Sequence, residues 1–218
     1  MTGRRTAFGK MAHMAPEYWK TAARELARRD AVLRGLIARF QGLALGSRGN
    51  AFQTLARAIV GQQISVKAAQ SVWNRVEAEV GAVTPANVLA KDPGQLRGCG
   101  LSRQKTLYLS DLAQRFATGM LDAGAWRQLG DEALILELTQ VKGIGRWTAE
   151  MFLIFYLARP DVLPLDDLGL QRAMNLHYGR GRPLSRERMR RIADTWAPWR
   201  SVATWYLWRS LDPVPVEY

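Results

Sequence analysis

The chain has 218 residues, 31 Lys+Arg against 19 Asp+Glu, a formal charge of +12, and 48% hydrophobic residues. That composition supports a folded core, excludes a disordered tail and points to a polyanionic partner. The longest unbroken apolar run, residues 151–158, is far below the ~20 residues that a membrane helix needs. The basic residues 1–10 have no apolar segment behind them, so neither a membrane span nor a secretory signal is expected.

In chain order the elements read as helices. Residues 1–40 carry nine Lys or Arg against three Asp or Glu. Alone, that is a solvated face; beside a DNA-binding motif it becomes a phosphate-contacting one. Phe52, Leu55, Ile59 and Val60 share one helical face, with Asn50 as N-cap. Ala69, Val72, Trp73 and Val76 form the next stripe after Ser65, and Thr84-Pro85 is a cap followed by a first-turn proline. Leu109, Leu112, Ala113 and Phe116 follow Ser102; a further helix ends near Leu138; Met189, Ile192, Ala193 and Trp196 follow Ser185. Clean alternation of period two is absent, only residues 161–165 look extended, and six arginines crowd residues 182–200. The expected fold class is all-α, with roughly ten helices joined by short loops.

Cys99 is the single cysteine, which excludes an internal disulfide, a zinc ribbon and an iron–sulfur cluster and fits a reducing compartment. The two histidines, His13 and His177, suggest no motif, and no GxxxxGK(S/T) loop occurs. A Ser-His-Asp hydrolase, a zinc hydrolase and an NTPase are therefore not expected.

Val141-Lys142-Gly143-Ile144-Gly145 lies between two apolar helical runs. Its glycines allow a tight turn and the close approach of another backbone. The helix that it opens directs free N–H groups and a positive dipole end outward, and Lys142 adds charge, so the turn is a phosphate site of the helix-hairpin-helix kind. Ile144 is expected to point inward and pin the two helices. Asp166-Asp167 follow the extended, proline-containing segment, with Asp167 22 residues beyond Gly145. An Asp before Leu168-Gly169 can simply cap the next helix; behind a DNA-gripping hairpin, a carboxylate can also carry chemistry.

Five pieces, in order, carry a resemblance: Ile59-Val60-Gly61-Gln62-Gln63-Ile64-Ser65, Cys99-Gly100-Leu101-Ser102-Arg103-Gln104-Lys105, the hairpin, Asp166-Asp167-Leu168-Gly169, and Trp196-Ala197-Pro198-Trp199-Arg200-Ser201. Over residues 51–212 the chain resembles the helix-hairpin-helix DNA glycosylase superfamily, and within it a compact form of the DNA-3-methyladenine glycosylase II family. The resemblance implies that Asp167 is the catalytic acid and that Asp166 shapes the turn. Breaking a C1′–N bond builds positive charge on the sugar, which a desolvated carboxylate stabilises while it orients or deprotonates a water; direct attack by the carboxylate is the other route. Trp147 stands where bifunctional relatives carry a Schiff-base lysine, which implies a monofunctional enzyme.

Trp147, Trp208 and Met151 are implied to line the base pocket, where ring faces attract a cationic alkylated purine by ~0.5–2 kcal/mol each. Met151 stands where a bacterial relative has tyrosine, whereas Trp196 and Trp199 read as core. The resemblance makes Leu101 the wedge that fills the gap left by a flipped base. Lys142, Gly143, Gly145, Thr148, Arg103, Gln62 and Gln63 are the implied DNA contacts, the two glutamines either touching DNA or bracing the hairpin. No cofactor is required. The backbone carbonyls of Thr139, Val141 and Ile144 are implied to hold a structural monovalent cation, sodium or potassium.

The expected architecture has two lobes. Residues 51–160 form a helical barrel that ends in the hairpin, at residues 132–157, while residues 1–50 and 161–218 pack together and leave a cleft near Asp167. The expected function is a monofunctional DNA glycosylase that excises 3-methyladenine-type alkylated purines from double-stranded DNA in base-excision repair. It is expected to act as a monomer away from membranes, in a bacterial cytoplasm or a eukaryotic nucleus. A glycosylase for ethenoadenine or hypoxanthine and a non-catalytic helix-hairpin-helix DNA-binding protein are the alternatives.

Overall fold

The computed structural model describes residues 15–46 and 50–211. His13 and the parts of the expected terminal lobe at residues 1–14, 47–49 and 212–218 lie outside the described residues. Twelve α-helices and a short 3₁₀ turn make up the regular structure among the described residues: α1 (Trp19–Arg29), α2 (Ala31–Arg39), α3 (Ala51–Gly61), α4 (Val66–Val80), α5 (Pro85–Leu89), α6 (Pro93–Gly98), α7 (Arg103–Ala117), the turn Trp126–Gln128, α8 (Asp131–Leu138), α9 (Arg146–Phe155), α10 (Leu168–Tyr178), α11 (Arg186–Asp194) and α12 (Arg200–Leu211). Roughly ten were expected; α5 starts at the Thr84-Pro85 cap read from the sequence, whereas α6 is too short to show a full apolar stripe.

Local chemistry explains most of the starts. Asn50, Ser65, Thr84, Ser102 and Ser185 each accept a hydrogen bond from a backbone N–H three residues on, satisfying a donor that the helix leaves unpaired. Asp92 and Gln95 form a capping box on α6, with Pro93 in its first turn. Residues 161–165 form no strand; Ser201 Oγ instead accepts from the Val162 N–H at 2.9 Å.

The two ends of the described chain pack on each other: α1 and α2 lie against α12, which also packs against α10. Asp30 ties them together. Its Oδ1 caps α2 by accepting from the Val32 and Leu33 N–H groups, and its Oδ2 accepts from the Tyr178 hydroxyl at 2.8 Å and the Trp196 indole at 3.2 Å. In the middle of the chain α3 packs against α4, α7 and α9, with α5 and α6 on α7. There Phe52, Phe116, Trp126 and Phe152 form a run of edge-to-face rings. One hydrophobic cluster runs through both groups of helices.

α8, the turn at 141–145 and α9 form the hairpin, with Val141 and Ile144 buried in it as expected. Gly143 has φ +83°, and a Cβ there would fall inside the Tyr108 ring. The tight turn and the packing of Tyr108 both therefore require glycine at this position. Gly145 differs: φ is −90°, and a Cβ would meet open space.

Two stability measurements follow. Asp30→Ala removes a cap and strands the Tyr178 hydroxyl and the Trp196 N–H, so urea unfolding should show a loss of about 2–4 kcal/mol, only part of it restored by Asp30→Asn, whose single acceptor oxygen can keep the cap but turns an NH2 toward the Trp196 N–H. Gly143→Ala must fight both Tyr108 and a left-handed φ, lowering stability by about 2–4 kcal/mol, whereas Gly145→Ala should cost at most about 1 kcal/mol as a poorer N-cap. Equal losses at the two glycines would contradict the packing assignment.

Candidate active site

α12 positions the site through the linker before α10. Arg200 grips both Asp161 oxygens, at 2.8 and 2.7 Å, and its own N–H is capped by Asp161 at 3.1 Å. The Asp167 N–H then donates to the Pro164 carbonyl at 3.0 Å, closing the turn that delivers Asp167 to the start of α10.

Three N–H groups converge on the half-buried Asp167 carboxylate. Oδ1 accepts from the Leu170 backbone at 2.6 Å, as the N-cap of α10, and from Trp208 Nε1 at 2.7 Å. Oδ2 accepts from Trp147 Nε1 at 3.0 Å. The cap thus uses Oδ1, while Oδ2 is turned to Trp147. Gly169 makes room for this: a Cβ there would lie 3.0 Å from Asp167 Oδ1 and 3.2 Å from the Trp208 ring. Phe155 stacks on Trp208 with centroids 5.7 Å apart, fixing the ring and covering one of its faces. Trp147, by contrast, is 42% exposed, and the neighbouring Leu168 is exposed too. Asp166 turns away and pairs with Arg186 on the surface, at 2.5 Å.

Beside this cleft, Gly145 starts α9 with no side-chain cap, so the first N–H groups of α9 and exposed Lys142 present a phosphate-sized positive site. Arg146 locks the hairpin by pairing bidentately with Glu132 and reaching buried Glu150 at 3.0 Å. Burial pushes the Glu150 carboxyl up, and the Arg146 charge partly offsets this. Neighbouring loops are tied to the hairpin. Lys105 Nζ donates to the Val60 and Gln62 carbonyls at 2.8 and 2.6 Å, at the negative end of α3, and Gln62 Nε2 donates to the Gly143 carbonyl at 2.7 Å. Burial lowers the pKa of Lys105.

Several expectations need correction. Leu101 is 5% exposed, so it is a core residue and presents no wedge at a loop tip. Exposed apolar groups nearby are Ile64 in the α3–α4 loop and Val66 at the start of α4, next to exposed Gln63, whose φ is +58°. Met151, one helical turn past Trp147 on the same face of α9, is only 7% exposed, so most of its side chain is packed in the core. The Thr148 side chain is buried, which leaves its backbone as the part that a phosphate could meet. Of the two roles open for Gln62, the structure shows the brace. Trp196 is fully buried, and Trp199 donates to Glu25 at 2.9 Å. Arg103 stays exposed at the start of α7. Sequence reasoning did not single out Tyr108, Lys105, Glu150 or Gly169. Only Lys105 and Gly169 lay inside motifs already quoted; Tyr108 and Glu150 carry no signal of spacing.

Known proteins resemble this chain in sequence and fold. Residues 56–198 match the model for the HhH-GPD superfamily base excision DNA repair protein. DNA-3-methyladenine glycosylase 1 of Schizosaccharomyces pombe is 34% identical over 163 residues, covering 73% of this chain and 72% of the relative. A crystal structure of DNA-3-methyladenine glycosidase from Bacillus halodurans superposes with a TM-score of 0.81 at 34% identity, over 88% of this chain and 89% of the other. The S. pombe 3-methyladenine DNA glycosylase in complex with abasic DNA gives a TM-score of 0.73 at 31% identity, over 87% and 96% of the two chains. By sequence, by fold and by the order of its motifs, the chain belongs to the HhH-GPD superfamily of base excision DNA repair proteins.

Proposed function

We propose that the chain is a monofunctional DNA glycosylase that flips 3-methyladenine-type alkylated purines out of double-stranded DNA and hydrolyses their C1′–N bond, opening base-excision repair. The observation that carries this reading is the Asp167 carboxylate, oriented by two indole N–H groups beside an uncapped hairpin helix.

The chemistry follows from the donors present. As the C1′–N bond breaks, its electron pair leaves with the base and the sugar becomes cationic. Asp167, partly desolvated and fixed in place, stabilises that charge without having to reorganise. Water adds to C1′ and gives up its proton to the same carboxylate. Indole N–H groups do not release protons, so those meeting at Asp167 cannot activate a leaving base. Activation must come from the lesion. Alkylation at N3 or N7 supplies it, because the base is already cationic and departs neutral. The open face of Trp147 suits such a cation.

The hairpin grips phosphate and positions the duplex without reading sequence. With Leu101 in the core, the wedge falls to the exposed Ile64 on the loop braced by Lys105. A monovalent cation fits the hairpin as a structural group. The Thr139, Val141 and Ile144 carbonyls are neutral oxygen donors, Thr139 at the negative end of α8 and the other two in the turn that follows, and Val141, which accepts from the Ile144 N–H at 3.0 Å, keeps a second lone pair. Such an ion would bridge protein and phosphate and takes no part in bond breaking. Acid, tryptophans and hairpin all come from one chain, which supports action as a monomer.

Asp167→Asn should lower base release from methylated DNA by at least ~10²–10³-fold while binding persists. If Asp166→Asn does this and Asp167→Asn does not, the acid is the other carboxylate; if neither does, the carboxylate mechanism fails; and if the wild-type protein releases no base, it is a DNA-binding scaffold. Product abasic sites should stay intact until alkali is added. Trapping a protein–DNA adduct with borohydride would refute the monofunctional reading, since Trp147 offers no amine. A panel with ethenoadenine and hypoxanthine duplexes sets the lesion range.

A further inference from the structure

The two oxygens of Asp167 are held in different ways. Oδ1 is bound twice, by the Leu170 backbone and by Trp208, and Trp208 is itself fixed by stacking on Phe155 and by the space at Gly169. Those contacts belong to the helix start and to the core. Oδ2 takes the Trp147 indole at 3.0 Å, and Trp147 projects from the first turn of α9 with 42% of its surface exposed. Oδ2 is therefore the oxygen that meets sugar and water, and Trp147 is the donor seen to set its direction.

We infer that Trp147 is a positioning residue, whose indole N–H aims the reactive oxygen of Asp167 while its ring face receives the base. The two functions use different parts of one side chain, edge and face, and can be separated. An ionised carboxylate oxygen has room for more than one donor, so the Trp147 bond leaves a lone pair of Oδ2 for the sugar or the attacking water. A hydrogen bond to a charged group is among the stronger ones, and it holds Oδ2 before substrate arrives. The inference rests on the glycosylase reading of the site.

The test is single-turnover base release, with parallel binding measurements, on duplex DNA containing one methylated purine. Trp147→Phe keeps a ring face and removes the N–H. Its release rate should fall about 10–100-fold, while Kd for the lesion duplex changes by less than about threefold. Benzothienylalanine at position 147 keeps the bicyclic shape and replaces N–H by sulfur; it should reproduce the loss, which guards against a repacked phenylalanine. Trp147→Ala should weaken lesion binding as well as rate. Adding Trp147→Phe to Asp167→Asn should cost nothing further, because the tryptophan acts through the carboxylate. Wild-type release rates from both N–H-less proteins, faster release showing that Trp147 merely obstructs Asp167, or losses that add to those of Asp167→Asn would each overturn the assignment. Absence of base release from the wild-type protein would overturn the glycosylase reading together with it.

Discussion

The site depends on keeping one carboxylate half out of water and fixed in direction. A buried, unpaired charge is expensive, so the fold surrounds Asp167 with N–H donors: the start of α10 and two indoles. Each donor makes its own demand on the sequence. Trp208 must reach in from α12, which Gly169 permits and Phe155 stiffens. Trp147 must sit in the first turn of α9, which places the hairpin against the cleft. The linker must hold its turn, which Asp161, Arg200 and Ser201 secure. Chemistry and folding therefore share contacts here.

The face that would meet DNA is built from loops that brace one another. Lys105 satisfies carbonyls at the end of α3, Gln62 passes the connection to the Gly143 carbonyl, and Tyr108 lies where a side chain at Gly143 would be. A lysine in that place looks from sequence like a phosphate contact. Burial and two carbonyl partners give it an internal role, while Lys142 and Arg103 remain exposed. Rigidity between hairpin and wedge loop matters physically. In the proposed reaction, a base pushed out at the α3–α4 loop would have to reach Asp167 beside the hairpin, and displacement of an ångström would misalign the reacting atoms.

Charge is distributed to match. The excess of +12 favours a polyanion at long range. Near the acid, Asp166 is paired with Arg186 on the surface, a contact worth little in itself. Its effect is to offset the second negative charge beside Asp167 where a DNA backbone must approach. Arg146 does the equivalent for Glu132 and Glu150 within the hairpin.

Local signals in the sequence determined the helical class, most helix starts and the hairpin, because caps, apolar stripes and a Gly-Ile-Gly turn act over a few residues. Asn50, Ser65, Thr84, Ser102, Ser185 and the inward Ile144 were legible for that reason. Asp167 was legible as a cap, and as an acid through its motif. Other features were decided by tertiary structure alone. Leu101 lies in the core despite its loop motif, since burial is set by what packs over a loop. Gly143 answers to Tyr108, 35 residues earlier, as well as to its turn. Trp147 and Trp208, read from sequence as ring faces for a base, turn their N–H edges to the acid. Which edge a side chain offers depends on partners distant in the chain, and spacing along the chain carries no record of them.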